Sequence, residues 1–243
     1  MKYLAIIPAR YASTRFPGKP LADIQGKPMI QHVYERSRAS FDDCYVATDD
    51  PRIFDTVENF GGKAVMTSAC HRNGTERCRE ALDIIENAAG MRFDVVVNIQ
   101  GDEPFIDTEQ LAQLKNCFDR EDTEIATLIK AFSPEEDIFN PNIVKIVTAI
   151  DGAAIYFSRT PIPCLRDAEK SSWQQQHTYY KHIGLYGFTP RALREITALP
   201  ASELEKAESL EPLRWIENGY TVRTAVTTIE SKAVDTPEDL KNL

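Results

Sequence analysis

Short β-branched runs alternate with longer amphipathic segments through the first half of the chain, a rhythm that predicts βαβ units around a mainly parallel sheet. Strands are expected at residues 3–8, 44–48, 63–66, 94–100 and 124–130, with helices at 29–40, 51–59, 75–88 and 108–118 between them. Thr75 and Thr108 stand where N-caps belong, each with a carboxylate early in the first turn. The rhythm then changes. Residues 142–150 and 153–158 flank Asp151-Gly152, the dipeptide that most favours a tight turn, so an antiparallel hairpin insertion is expected. Residues 161–176 have no period, 182–188 read as a strand, 201–217 as one helix and 221–227 as a last strand. A short helix opening at Thr236-Pro237-Glu238 closes the chain, with proline in its first turn. No repeat and no low-complexity linker occurs, so one domain over 1–243 is expected, with a dimerisation or lid insertion near 150–190.

With 243 residues, 42% hydrophobic and 27% charged, the chain suits one large α/β domain or two small ones. Its apolar runs fall far short of the roughly 20 residues a membrane span needs, and the N-terminus has no signal-peptide pattern. A cytoplasmic protein without a membrane partner is the expectation. The five cysteines are odd in number and form no Cys-x-x-Cys pair, which suits free thiols in a reducing compartment. Cys70, His71 and Cys78 lack the fourth ligand and the spacing of a zinc site.

A net charge of -9 and a pI near 5.1 argue against a nucleic-acid partner. Against that acidic background Arg10, Arg15 and Lys19 crowd into the first loop, which points to a ligand with concentrated negative charge, a polyphosphate first of all. The loop follows the first strand, at the carboxyl edge where open α/β sheets bind ligands. Gly18 and the small residues Ala9, Ala12, Ser13 and Thr14 let backbone N–H groups approach a phosphate. Neither a Walker loop nor Gly-x-Gly-x-x-Gly is present.

The stretch Ile7-Pro8-Ala9-Arg10-Tyr11-Ala12-Ser13-Thr14-Arg15-Phe16-Pro17-Gly18-Lys19-Pro20-Leu21 closely resembles the signature loop of the 3-deoxy-manno-octulosonate (Kdo) cytidylyltransferases, which are sugar-activating nucleotidyltransferases. Further blocks resemble the same family in its order: His71-Arg72-Asn73-Gly74-Thr75-Glu76-Arg77, Asn98-Ile99-Gln100-Gly101-Asp102-Glu103-Pro104, Tyr156-Phe157-Ser158-Arg159, His182-Ile183-Gly184-Leu185-Tyr186-Gly187 and Val234-Asp235-Thr236-Pro237-Glu238-Asp239-Leu240. They span nearly the whole chain. Asn73 departs from a common serine and Phe16 from a common leucine; an Asn side chain still donates or accepts where a hydroxyl would.

The resemblance implies a Rossmann-like fold of the nucleotide-diphospho-sugar transferase type and a homodimer. It implies attack of the anomeric hydroxyl of Kdo on the α-phosphorus of CTP, giving CMP-Kdo for lipopolysaccharide biosynthesis. It assigns Arg15, Lys19 and Asp102 to catalysis, and Pro8, Ala9, Arg10, Thr14, Arg15, Lys19, Asn73, Gly74, Thr75, Arg77 and Gln100 to the nucleotide. Gln100, Arg159, His182, Tyr186 and Glu211 fall to the sugar acid, and Mg²⁺ to Asp102 with Asp235. Read without the family, Asp102 is a turn residue, Asp235 a helix cap, and Glu211 part of a solvated helix face. The alternatives are a cytidylyltransferase for amino-Kdo or sialate, and a non-catalytic nucleotide-binding module. The loop lacks the glycine-rich stretch before serine and lysine that sialate relatives carry. The segment around Trp173 either covers a partner subunit or packs as a lid.

Overall fold

The computed structural model describes residues 1–12, 16–230, 234 and 236–241. Its elements are β1 (Tyr3–Ala9), β2 (Asp23–Ile24), β3 (Lys27–Pro28), α1 (Met29–Arg38), β4 (Asp43–Thr48), α2 (Pro51–Asn59), β5 (Ala64–Met66), α3 (Gly74–Ala89), β6 (Val95–Asn98) and α4 (Thr108–Asn116). Then follow β7 (Ile125–Ala131), β8 (Lys145–Thr148), β9 (Ala154–Ser158), α5 (Trp173–Gln176), β10 (Tyr180–Phe188), α6 (Pro190–Ala198), α7 (Glu203–Glu208), α8 (Glu211–Glu217), β11 (Val222–Val226) and α9 (Pro237–Lys241). The described residues group into two compact units, one of Met1–Ala112, Leu185–Thr197 and Ser231–Leu243, the other of Gln113–Gly184 and Ala198–Glu230.

The first unit is the expected parallel α/β layer. β1 pairs in parallel with β4 and β6, and β4 with β5. The last residues of β10 run antiparallel to β6, with Tyr186 opposite Asn98. Leu4, Ala5, Ile6 and Ile7 are fully buried, as expected of a central strand covered on both faces. Helix α3 buries Thr75, Arg77, Cys78, Ala81, Leu82, Ile85 and Glu86, the spacing of one face of a helix. Its cap differs from the expectation: Asn73, not Thr75, takes the N-cap position, and its Oδ1 accepts the Glu76 N–H at 2.8 Å. Thr75 is already helical there, because an Asn carboxamide satisfies the first-turn donors as well as a hydroxyl.

In the second unit β7 and β11 run parallel, from Val222 beside Ile125, and the expected hairpin appears as antiparallel β8 and β9. Its turn places Gly152 at φ 82, a conformation glycine adopts without strain. The expected helix over 201–217 is instead α7 and α8. Ser209 at φ 52 breaks it, and Pro212 lies in the first turn of α8. Trp173 is 6% exposed in a cluster with Ile138 and Tyr179, Phe132 and Leu165 packing against it. Its Nε1 donates to the Ala168 carbonyl at 3.1 Å, so the segment without sequence period packs on its own unit. No described helix is long and apolar enough to cross a membrane.

Candidate functional site

At the carboxyl end of β1 the chain enters the cation-bearing loop, whose described ends are tied together. The Gly18 N–H donates to the Tyr11 carbonyl at 2.9 Å. Gly18 sits at φ 72, with room for a Cβ only 3.0 Å from the Tyr11 ring, so glycine serves both the backbone and the close approach. The Arg52 guanidinium stacks 3.3 Å from the centroid of that ring while pairing with Asp50 at 2.6 Å. Just before the loop, Pro8 is pressed from two sides. A Cβ on Gly74 would lie 3.1 Å from Pro8 Cγ, and one on Gly101 would lie 3.0 Å from the Pro8 carbonyl oxygen. Thr14 and Arg15 lie outside the described residues.

These elements enclose a cavity of about 230 Å³ in the first unit. Of the residues expected at the nucleotide, Pro8, Ala9, Arg10, Lys19, Asn73, Gly74, Arg77 and Gln100 line it, together with Asp102. Thr75 does not; it is buried one position further into α3. The wall brings together the loop after β1, the N-terminus of α3 and the turn after β6. A helix N-terminus beside cations favours bound phosphate or another anion. Arg77 is 4% exposed and committed to its neighbours, donating to Thr67 Oγ1 at 2.6 Å and lying 3.3 Å from Asp49 Oδ1.

Lys19 Nζ donates to Asp102 Oδ2 at 2.7 Å, closing an 83-residue separation in sequence. Asp102 also accepts at its backbone carbonyl, from the Val234 N–H at 2.9 Å, and Val234 packs in a cluster with Ile24 and Met29. Asp235 itself lies outside the described residues. Among the described residues no group of three or more His, Cys, Asp or Glu side chains is placed to hold a metal. A partly exposed carboxylate on a cationic wall nevertheless fits Mg²⁺. This hard cation is commonly held by one or two carboxylates and completed by water and substrate phosphate oxygens.

Sequence reasoning gave no role to His71, which also lines the cavity. Its ring Nε2 is in hydrogen-bond contact with the Glu80 carboxylate of α3. Burial opposes the charge on Glu80, but His71 and the Ser68 N–H outweigh it and hold its carboxyl below the usual range. Its place at the head of the His71-to-Arg77 block was the available signal; the pairing across loop and helix leaves no mark in a linear pattern.

The residues expected at the sugar acid divide between the units. In the first, Gln100 is on the cavity wall, and Tyr186 is 7% exposed with its ring stacked on Phe188. In the second, Arg159 donates to the Glu208, Pro141 and Ser209 carbonyls at 2.6, 3.0 and 3.3 Å. Glu208, also unassigned from sequence, clamps the same segment by accepting from Ser158 Oγ at 2.8 Å and from the Arg159 N–H at 2.9 Å. Glu211 opens α8, 3.8 Å from Arg214. His182 contacts Thr127 Oγ1 at 3.1 Å, and burial pushes its pKa down to about 4.

A family model described as Cytidylyltransferase matches residues 4–229. A 3-deoxy-manno-octulosonate cytidylyltransferase of Bacteroides thetaiotaomicron is 55% identical, over 100% of this chain and 96% of the relative. An 8-amino-3,8-dideoxy-manno-octulosonate cytidylyltransferase of Shewanella piezotolerans is 45% identical, over 99% of this chain and 96% of that one. The solved structure of CMP:2-keto-3-deoxy-manno-octonic acid synthetase complexed with CTP is similar at a TM-score of 0.88 and 41% identity. That match covers 100% of this chain and 96% of the other.

Proposed function

The chain belongs to the 3-deoxy-manno-octulosonate cytidylyltransferase family, and from that premise we propose that it transfers CMP from CTP to the anomeric hydroxyl of Kdo, releasing pyrophosphate. The observation that carries this reading is the cavity at the carboxyl edge of β1 and β6, where Arg10, Lys19 and Asp102 meet the N-terminus of α3. The sugar oxygen bonds to the α-phosphorus as the bond to pyrophosphate breaks, so no protein nucleophile is required. Such a reaction is accelerated mainly by positioning and by charge placed where charge develops. Lys19 serves the α-phosphate and the departing pyrophosphate, joined by Arg15, while Arg10 holds the β- and γ-phosphates. The backbone at Pro8 and Ala9, with Asn73 and Gly74, faces the rest of the nucleotide. For the acidic sugar, Gln100 lies on that cavity wall, and the family resemblance assigns Tyr186, Arg159, His182 and Glu211 to the same ligand.

Asp102 and Asp235 hold Mg²⁺ in this reading; when bound it offsets phosphate charge and orients the α-phosphate. Its support is the chemistry of the Asp102 carboxylate and the Val234 N–H bond to the Asp102 carbonyl. A homodimer in the cytoplasm, supplying CMP-Kdo for lipopolysaccharide biosynthesis, completes the proposal. The hairpin leaves Ile150 and Ile155 exposed, whereas Trp173 is interior to its unit. Ile155→Lys should therefore lower the mass in solution, and Trp173→Glu should unfold the second unit; unchanged mass for the first rejects the hairpin as the contact.

The deciding experiment is pyrophosphate release from CTP as Mg²⁺ and Kdo are each left out. Turnover requiring both is expected. Tight CTP binding without turnover on any 2-keto sugar acid would make the chain a nucleotide-binding module. Because a relative named for the 8-amino sugar is 45% identical, Kdo and that analogue should be run in competition; the larger kcat/KM names the acceptor. Lys19→Ala should lower kcat more than it weakens CTP binding, since Lys19 acts on charge that grows during the reaction. An equal loss in both reduces it to a simple phosphate contact.

A further inference from the structure

The loop between β5 and α3 is fastened to the first two turns of its own helix. Glu76 accepts from the Arg72 N–H at 3.1 Å and from the Arg72 guanidinium at 2.9 Å. One turn further on, Glu80 gathers two donors on a single oxygen: Oε2 accepts the Ser68 N–H at 2.9 Å and is also the atom that meets His71 Nε2. Ser68 Oγ in turn accepts the Cys70 N–H at 3.3 Å, so the turn that delivers His71 is closed on its other side as well.

The proton in the His71 contact has one place to be. Burial opposes the charge on Glu80, but His71 and the Ser68 N–H outweigh it and hold the carboxyl below its usual range, so at neutral pH both carboxylate oxygens only accept. Nε2–H is therefore the donor. A histidine anchored through one nitrogen has its ring orientation set and turns the other to a ligand. His71 lines the nucleotide cavity beside Arg72, Asn73 and Gly74, its side chain is 7% exposed, and among the described residues Nδ1 has no hydrogen-bond partner. We propose that Glu80 is a positioning residue for CTP: it anchors His71 through Nε2, outside the cavity wall, and leaves Nδ1 as the nitrogen that meets the bound nucleotide. This rests on the reading of the cavity as the CTP site.

The test uses full-length protein with imidazole-labelled histidine, the His71 signals being assigned by their loss in His71→Gln. Nitrogen NMR at neutral pH should show Nε2 carrying a proton, and Nδ1 should shift when CTP and Mg²⁺ are added without Kdo. In steady-state kinetics Glu80→Ala should raise KM for CTP by about fivefold to tenfold, the scale of one hydrogen bond. It should leave kcat and KM for Kdo nearly unchanged, because the contact is made in the ground and transition states alike. Glu80→Gln should restore KM, since a carboxamide oxygen can accept both donors that converge on Oε2. His71→Ala should raise KM to the same extent, with no further rise when combined with Glu80→Ala, as expected of residues acting in series. A bare Nε2, an Nδ1 unmoved by saturating CTP, or additive effects in the double variant overturns the proposal. An Nδ1 that responds to CTP in a protein without turnover on any 2-keto sugar acid would sink the transferase reading and leave this one standing. If Glu80→Ala fails to fold, the wild-type spectrum and its response to CTP still decide.

Discussion

At the scale of single residues, the cations of the first loop are legible in the sequence because they oppose a net charge of -9. Their partners are not. Asp102 is found beside Lys19 only once β1 and β6 lie side by side, and Gly74 and Gly101 acquire meaning only when both face Pro8. That close fit yields a prediction. Gly74→Ala would put a methyl 3.1 Å from Pro8 Cγ, and the proline ring can yield only by a change of pucker, so the Pro8 ring, its backbone or the first turn of α3 must shift by a few tenths of an ångström. The change falls on groups lining the cavity rather than on the core. CTP affinity, measured by calorimetry, should fall about tenfold, as small displacements of binding groups do, with little change in denaturation midpoint. A large drop in midpoint with unaltered affinity would show that the contact serves packing only.

At the scale of elements, boundaries were legible where capping chemistry is local. Helix α2 occupies 51–59 as expected, because Asp50 accepts the Arg52 N–H at 2.9 Å and Pro51 takes the first helical position. Where the break depends on one backbone angle, the pattern misleads. Leu204, Leu210, Leu213 and Trp215 suggest one helix, yet Ser209 turns left-handed and a second helix starts at Glu211. Helix α6 has no counterpart among the expected elements; Pro190 is its first residue, where the missing N–H of proline costs least. α7 has only six residues and relies on a capping box in which Ser202 Oγ accepts from Glu205 N and Glu205 accepts from Ser202 N. A helix this short has little intrinsic stability. Ser202→Ala should therefore cost about 1 kcal/mol, read as a lower urea midpoint at unchanged slope.

At the scale of the whole molecule, the α/β class was legible from the alternation of runs, but the two units were not, since three of their four boundaries fall inside elements. Ala112 and Gln113 are consecutive in α4, Gly184 and Leu185 in β10, and Thr197 and Ala198 in α6, so no linker or composition shift marks them. Acid stability is a whole-molecule property that the buried groups set. His182 titrates near 4 instead of its ordinary 6.5 because burial disfavours the imidazolium, so the unfolded chain takes up a proton first as pH falls. Its contribution is complete above about pH 6.5 and drains away toward pH 4, by at most about 1.4 kcal/mol per pH unit. Glu136 and Glu230 act lower. Burial opposes their charge, but Lys181 and, for Glu230, Lys130 outweigh it and hold both carboxyls below the ordinary 4.5, so their contribution is present above that value and lost beneath it. Urea midpoints taken from pH 7.5 to 4 should accordingly decline from about pH 6.5 and steepen below about 4.5. His182→Gln, whose amide can hydrogen-bond to Thr127 but does not titrate, should flatten the first decline and leave the second. A first decline that survives in His182→Gln would mean that another group loses its protection there and that the imidazole is not held neutral.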